Sequence, residues 1–221
     1  MKIDLHIHTE QSICSNLKPK TILKYARLKG LDGIAITDHD TIKANKELQE
    51  LAGDLLIIPG VEIATTSGEL IALFVHKEIE SGLSLRETTD RIHEIGGLVI
   101  VPHPFDRYRK SVGDKIHEIE ADAIEVYNSR NIYKKANQKA LEFSRQNGMV
   151  AVAGSDAHFK EEIGMAGIMT ETDNIFECIR TGRVKTFYES SSKIVHIKSI
   201  VNRIINVTTQ VQGSRSENAE D

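Results

Sequence analysis

Two cysteines in 221 residues, Cys14 and Cys178, cannot build a disulfide framework, and a reducing cytoplasm is the expected setting. No apolar run approaches the roughly 18–20 residues needed to cross a bilayer, so a membrane role is not expected. The opening Met1-Lys2-Ile3-Asp4 is expected to enter a strand at once, so a signal peptide is not expected. Tryptophan is absent and proline occurs four times. Basic charge is not in surplus either: 28 Lys and Arg stand against 32 Asp and Glu, a formal net charge of −4. That balance argues against affinity for nucleic acid through a broad basic surface. What remains is ordinary globular material, 40% hydrophobic and 27% charged, long enough for one α/β barrel with a substantial core.

Short apolar runs alternate with segments of helical period, the pattern of βα units around a largely parallel sheet. The strands are expected at Ile3–Ile7, Gly33–Thr37, Leu55–Ile63, Leu70–Val75, Leu98–Val101, Ala123–Tyr127 and Met149–Ala153. Helices are expected at Pro19–Lys29, Thr41–Leu51, Leu85–Ile95 and Ile132–Gln146, with Pro19 in a first turn, Gly30 at an end and Thr41 as a cap. Beyond residue 160 the pattern gives a helix at Asn174–Thr181, a strand at Val184–Tyr188 and a mixed apolar segment, Ile194–Ile205, that suits either core or an interface. A single domain over 1–210 and a disordered polar tail over 211–221 follow.

The chemistry-bearing residues are not scattered. His6 and His8 end the first strand, two apart, so that in an extended chain they share a side with Asp4 while Leu5 and Ile7 point away. Alone they could be two surface histidines near a terminus. But Asp38, His39 and Asp40 follow the second strand, Glu62 ends the third, His103 the fifth, Asn128 and Arg130 the sixth, and Asp156 and His158 the seventh. All lie at carboxyl ends of strands, the face on which such barrels build active sites. His93, His117 and His196 fall elsewhere and read as surface residues. His, Asp and Glu together suit Zn²⁺, Mn²⁺ or Fe²⁺. Seven ligands (His6, His8, His39, Glu62, His103, Asp156 and His158) exceed one tetrahedral ion, which implies two or three ions sharing a bridging carboxylate and hydrolytic chemistry on a phosphate ester.

In order, DLHIHT, ITDHDT, GVE, PHP at 102–104 and GSDAH resemble the polymerase and histidinol phosphatase (PHP) family of metal-dependent phosphoesterases, over roughly residues 1–170. The resemblance implies a distorted seven-stranded β/α barrel of TIM-barrel type with up to three divalent ions. It implies His6, His8, Glu62 and Asp156 around the first ion, His39 and His158 around the second, and a bridging Glu62 with His103 around the third.

Two positions depart from that pattern. Where family members place an Asp or His after HxH, this sequence has Cys14, a legitimate Zn²⁺ ligand but a poor one for Mn²⁺, with Glu10 as another source of a carboxylate. Where they place a His after GVE, the options are Glu69 and His76. The connection from Ile63 to Leu70 is too short for a parallel crossover of about a dozen residues, so the strands should form an antiparallel hairpin. That puts Glu69 beside Glu62 and His76 about 20 Å away at the far end, and Glu69 also matches the family register. Cys14 leans toward zinc and Glu69 toward a harder ion.

For substrate, Arg107, Arg109 and Lys110 in FDRYRKS follow His103, and Arg130 follows the sixth strand; guanidinium forks suit phosphate. Asp38 is placed to orient an imidazole and Asp40 to cap the following helix, while Cys178 reads as core and Gly154 as backbone clearance. The expectation is a cytoplasmic phosphoesterase acting on a small phosphomonoester such as a nucleotide, sugar or amino-alcohol phosphate. The alternatives are an exonuclease on phosphodiesters and a metal-stabilised scaffold with little catalysis.

Overall fold

The computed structural model describes residues 1–189. The apolar segment Ile194–Ile205 and the tail 211–221 lie outside the described residues.

In chain order the elements are β1 (Lys2–Ile7), α1 (Pro19–Leu28), β2 (Gly33–Ile36), α2 (Lys43–Leu51), β3 (Leu56–Thr65), β4 (Gly68–Leu73), α3 (Leu85–Glu94), β5 (Leu98–Val101), a 3₁₀ turn (Gly113–Glu118), β6 (Ala123–Asn128), α4 (Lys134–Asn147), β7 (Val150–Gly154), β8 (Ala166–Met169), α5 (Ile175–Arg180) and β9 (Lys185–Tyr188). The strands form one sheet in the order β7-β6-β5-β4-β3-β2-β1-β8-β9. β1, β2 and β3 run parallel, as do β5, β6 and β7. β4 is antiparallel to both neighbours, so the β3–β4 hairpin expected from the short connection is present. The sheet curls until the segment after β7 meets β1, where Ile7 and Ala157 form a parallel bridge. The result is a nearly closed barrel.

Among the described residues the sheet has nine strands rather than seven. Val184–Tyr188 was expected as a strand; β8 was not, because AGIM offers four residues, one of them glycine, and no alternation. It is held by antiparallel pairing on both sides, to β1 and β9, which is tertiary and not local information.

Apolar residues from almost every strand fill the barrel, among them Ile3, Leu5, Ala35, Ile58, Ile71, Ile100 and Val152. Two outer layers pack on it. α1 and α2 cover one with Ile22, Leu23, Ala26 and Leu48, and α3 and α4 cover the other with Ile92 and Ala140. Pro19 sits in the first turn of α1, a Ser84–Glu87 capping box starts α3, and Gly148 in the left-handed region ends α4. Thr41 does not cap α2. That helix starts at Lys43 without a side-chain cap, and the Thr41 hydroxyl instead accepts the Lys43 amide at 3.3 Å. Asp40 does not cap it either; its carboxylate turns to the Ala64 amide at 2.8 Å, with a backbone φ of 53°.

Candidate metal centre

The strand carrying His6 and His8 is not regular. Its register against β2 shifts between Asp4 and Ile7, so Leu5 joins the barrel interior while Ile7 joins the layer under α1 and α2. Asp4 therefore leaves the histidine face. It accepts backbone amides of His6, Ser155 and Gly164 at 3.2, 2.9 and 2.9 Å, tying β1 to the loop after β7. Local irregularity of this kind re-aims side chains at barrel rims.

His6 and His8 converge. Their Nε2 atoms lie 3.1 Å apart, and both rings are fully buried. What sits on the other ring nitrogens fixes what this contact means. His6 Nδ1 lies 3.1 Å from the Glu125 carboxylate, an acceptor only, so Nδ1 carries a hydrogen and donates. His8 Nδ1 lies 3.2 Å from Ser12 Oγ, whose own hydrogen goes to Asp38 at 2.6 Å, so His8 Nδ1 donates too. Both Nε2 lone pairs are left facing one point. That arrangement is repulsive unless a cation lies between them, a proton or a metal ion. Asp156 Oδ1 approaches the same point, 3.8 Å from His6 Nε2 and 3.5 Å from His8 Nε2. Asp38 thus orients an imidazole, as its place in the sequence suggests, but through Ser12, which also accepts the His39 amide at 3.0 Å. Ser12→Ala should weaken divalent-cation affinity by about 10–100-fold, measured by competition with a fluorescent chelator.

A second group forms beside the first. The segment after β2 runs parallel to β3, with the Asp40 amide on the Glu62 carbonyl at 2.9 Å and the Glu62 amide on the Asp38 carbonyl at 3.0 Å. This brings His39 Nδ1 to 3.0 Å from Glu62 Oε2. His158 donates Nδ1–H to the Asp156 carbonyl at 2.9 Å, which leaves Nε2 aimed at Cys14 Sγ, 2.9 Å away. His8, His39 and His158 offer ligand atoms all within 4.8 Å of one another.

The hairpin supplies the third group, Glu62, Glu69 and His103. His103 Nε2 lies 3.0 Å from Glu62 Oε1 and 3.8 Å from Glu69 Oε2. Its Nε2 donates to Glu62 in this metal-free site, while Nδ1 is buried with no hydrogen-bond partner, so nothing on that side of the ring holds it as Glu125 and Ser12 hold His6 and His8. His76 is exposed on the far side of β4, and Glu10 is exposed too and does not line the cleft. His103 and Asp156, at φ of 30° and 56°, are two of four non-glycine residues with positive φ among the described residues. Such backbone strain is sustained only where surrounding contacts over-determine it.

Charge explains why the cluster wants cations. Glu62 is almost fully buried, which alone would raise its pKa, yet the imidazolium charges of His6 and His39 hold it well below the carboxylate range. Burial opposes a charge on His6, but Glu62 and Glu125 push it up to about 9. His39 is likewise driven to about 11 by Glu62 and Cys14 against its burial. His8 and His158 go the other way, well below the usual imidazole value, through burial and the neighbouring cations. Two protonated imidazoles therefore balance the buried carboxylates, a task divalent ions perform with the same donors. The donor set, oxygen and imidazole nitrogen with one thiol, suits such ions.

The cluster floors a cleft of about 500 Å³ lined by Cys14, His39, Glu62, Glu69, His103 and Asp156 among others. Arg109, Lys110 and Arg130 line it as well. Arg109 contacts Asp156 and lies 3.5 Å from Asp106, while Arg130 reaches Glu162 at 3.1 Å and Asp156 at 3.9 Å. Burial pulls Arg130 down to about 10, so it stays a cation at neutral pH. Arg107 is the exception among the basic candidates. It does not line the cleft, and its guanidinium lies over the Tyr133 ring, 5.0 Å from the centroid.

Several residues that build the site were not found from sequence: Glu125, Ser12, Asn128 as a bridge, and Glu162. Glu125 accepts from His6, from the His103 amide at 2.9 Å and from Asn128 Nδ2 at 2.9 Å. Asn128 Nδ2 also donates to Asp156 Oδ2 at 3.0 Å. The one available signal was a lone carboxylate inside the apolar strand IEVYN. Gly154 provides clearance as expected. A Cβ there would lie 2.4 Å from His6 Cβ and 2.6 Å from Glu125 Oε1. Gly154→Ala should destabilise the metal-free protein by about 1–3 kcal/mol in denaturant unfolding.

Residues 134–184 match the family model described as PHP-associated. The chain is 41% identical over 141 residues to the uncharacterized protein MJ1587 of Methanocaldococcus jannaschii, covering 58% of this chain and 82% of the relative. It is 40% identical over 183 residues to MJ0417 of the same organism, covering 79% and 73%. The chain belongs to the PHP family of metal-dependent phosphoesterases. Solved structures share the fold at low identity. One, from Bifidobacterium adolescentis and described as a metal-dependent phosphoesterase, has a TM-score of 0.62 at 18% identity, covering 87% of this chain and 97% of that one. PsfC of Pseudomonas syringae has 0.65 at 16%, covering 91% and 96%. An amidohydrolase from Chromobacterium violaceum has 0.61 at 16%, covering 84% and 98%. As a PHP protein the chain is a metal-dependent hydrolase of phosphoesterase type, and no helix among the described residues is long and apolar enough to cross a membrane.

Proposed function

We propose that this PHP protein hydrolyses a small phosphomonoester at a site of two or three divalent ions. The observation that carries the proposal is the division of one buried carboxylate. Glu62 Oε1 faces His103 at 3.0 Å and His6 at 3.6 Å, while Oε2 faces His39 at 3.0 Å and His8 at 3.3 Å. A carboxylate so shared suits the bridge between neighbouring ions. His6, His8 and Asp156 would hold one ion with Glu62; His39, His158 and Cys14 a second; Glu62, Glu69 and His103 a third. Divalent ions supply Lewis acidity and an acidified water at neutral pH.

The remaining work falls to the chain itself. Glu125 and Ser12 keep His6 and His8 in the tautomer that presents Nε2 to the cluster. Arg130, Arg109 and Lys110 line the cleft with positive charge toward the phosphoryl oxygens and the charge that grows on them. Arg109 and Arg130, both within reach of Asp156, align that carboxylate as well.

The test is hydrolysis of a generic aryl phosphate by metal-stripped protein with Mn²⁺ or Zn²⁺ restored. Turnover should appear only with metal and fall by about a hundredfold or more in His39→Ala. Arg130→Ala should chiefly raise KM, by about tenfold, since it removes one charge-assisted phosphate contact. Metal-independent turnover, or full activity in His39→Ala, would count against the proposal.

A further inference from the structure

The cleft has two zones. Its floor is buried carboxylates, imidazoles and guanidinium groups. Its mouth carries three large apolar side chains, Ile13, Tyr108 and Ile132, at 43%, 76% and 58% exposure, beside the exposed Asp40 and Lys110. The three apolar side chains come from separate loops, after β1, β5 and β6. The other exposed large apolar side chains among the described residues are dispersed, Leu28, Leu51 and Ile95 on helix surfaces or ends and Met169 and Tyr188 on β8 and β9. Three converging on one opening is not the single scatter that needs no explanation.

At about 500 Å³ the cleft is larger than a phosphate group needs, and falls in the size range of pockets that enclose a whole small molecule. Whatever is esterified to the phosphate must therefore lie between the basic floor and these apolar side chains. A sugar or polyol would set its hydroxyls against two isoleucines and lose water partners without replacement. A flat apolar group would be covered by the isoleucines and could stack on Tyr108. We infer that Ile13, Tyr108 and Ile132 select phosphate esters whose alcohol carries a planar, largely apolar group close to the phosphate. The inference rests on the phosphoesterase reading above and narrows its substrate class.

The experiment pairs binding with turnover. Benzylphosphonate and methylphosphonate carry the same charged head and cannot be hydrolysed. On protein supplied with divalent metal, calorimetry should give benzylphosphonate an affinity about tenfold or more above methylphosphonate. Ile132→Ser and Tyr108→Ser, at exposed positions that do not carry the fold, should each cut that ratio by about threefold or more. Benzyl phosphate against methyl phosphate keeps a primary alkyl ester and adds only the flat apolar group, so the kcat/KM ratio should follow the same order. Equal affinity for the two phosphonates, or a preference that both variants leave intact, would overturn the inference while the phosphoesterase reading stands. If neither phosphonate binds and no phosphate ester is hydrolysed, that reading fails and this one with it.

Discussion

Glu62→Gln is expected to lower metal-dependent turnover by about a thousandfold or more and to reduce the metal retained after dialysis. The substitution keeps the shape and removes the charge. In the native site both carboxylate oxygens are divided among four histidines at 3.0–3.6 Å, and burial leaves no water to replace them. An amide puts an N–H where one pair of histidines, or an ion, meets an acceptor. It also leaves His6 and His39 without the charge that raises them to about 9 and 11. Metal content per chain and kcat, measured on the same preparation, check the expectation. Retained metal with wild-type kcat would remove Glu62 from the centre of the account.

The second large effect is expected at Glu125, which touches no candidate ion site directly. Its carboxylate satisfies three buried donors: the His6 ring, the strained His103 backbone and the Asn128 amide that also holds Asp156. Glu125→Ala strands all three, a loss of about 3 kcal/mol or more, and should lower Tm by roughly 6–12 °C. Metal affinity should fall by about 10–100-fold as the His6 tautomer is no longer fixed. Glu125→Gln keeps one oxygen and should lie between. Thermal unfolding with and without metal separates the two losses, because a merely structural residue would shift both melting curves equally.

These two residues show what sequence could and could not convey. Glu62 was legible because GVE lies toward the carboxyl end of an apolar run, and ligand-type residues near the carboxyl ends of several strands share one face in a parallel barrel, although β3 itself continues to Thr65. The β3–β4 hairpin, which with the family register favoured Glu69 over His76, was legible from the length of a connection, and the hairpin is there. Glu125 was not, because a single acid within an apolar strand gains meaning only from β1 and β5 packing beside it. Glu162 follows the exposed Glu161, and nothing in KEEIG says which of the two will be buried against Arg130 and the His158 amide. The β1 irregularity also escaped, since alternation assumes a regular strand; it moved Asp4 off the histidine face while leaving His6 and His8 together. Arg107 failed for a simpler reason. Neighbours in a loop share no periodicity, and Tyr133 was placed to take it. Of the histidines set aside, His93 pairs with Asp122 at 2.9 Å and His117 lies against Phe143, away from the cleft, while His196 lies outside the described residues.

The central claim is that the buried cluster is a metal centre that works on phosphate. The most direct measurement is a titration of metal-stripped protein with Mn²⁺, and separately Zn²⁺, following bound metal per chain and phosphate released from a panel of phosphomonoesters in the same samples. Release should begin only as the ion sites fill and rise with occupancy. Tight uptake of metal with no release from any ester, and with a higher Tm as the sole consequence, would contradict it and make the cluster a stabilising scaffold.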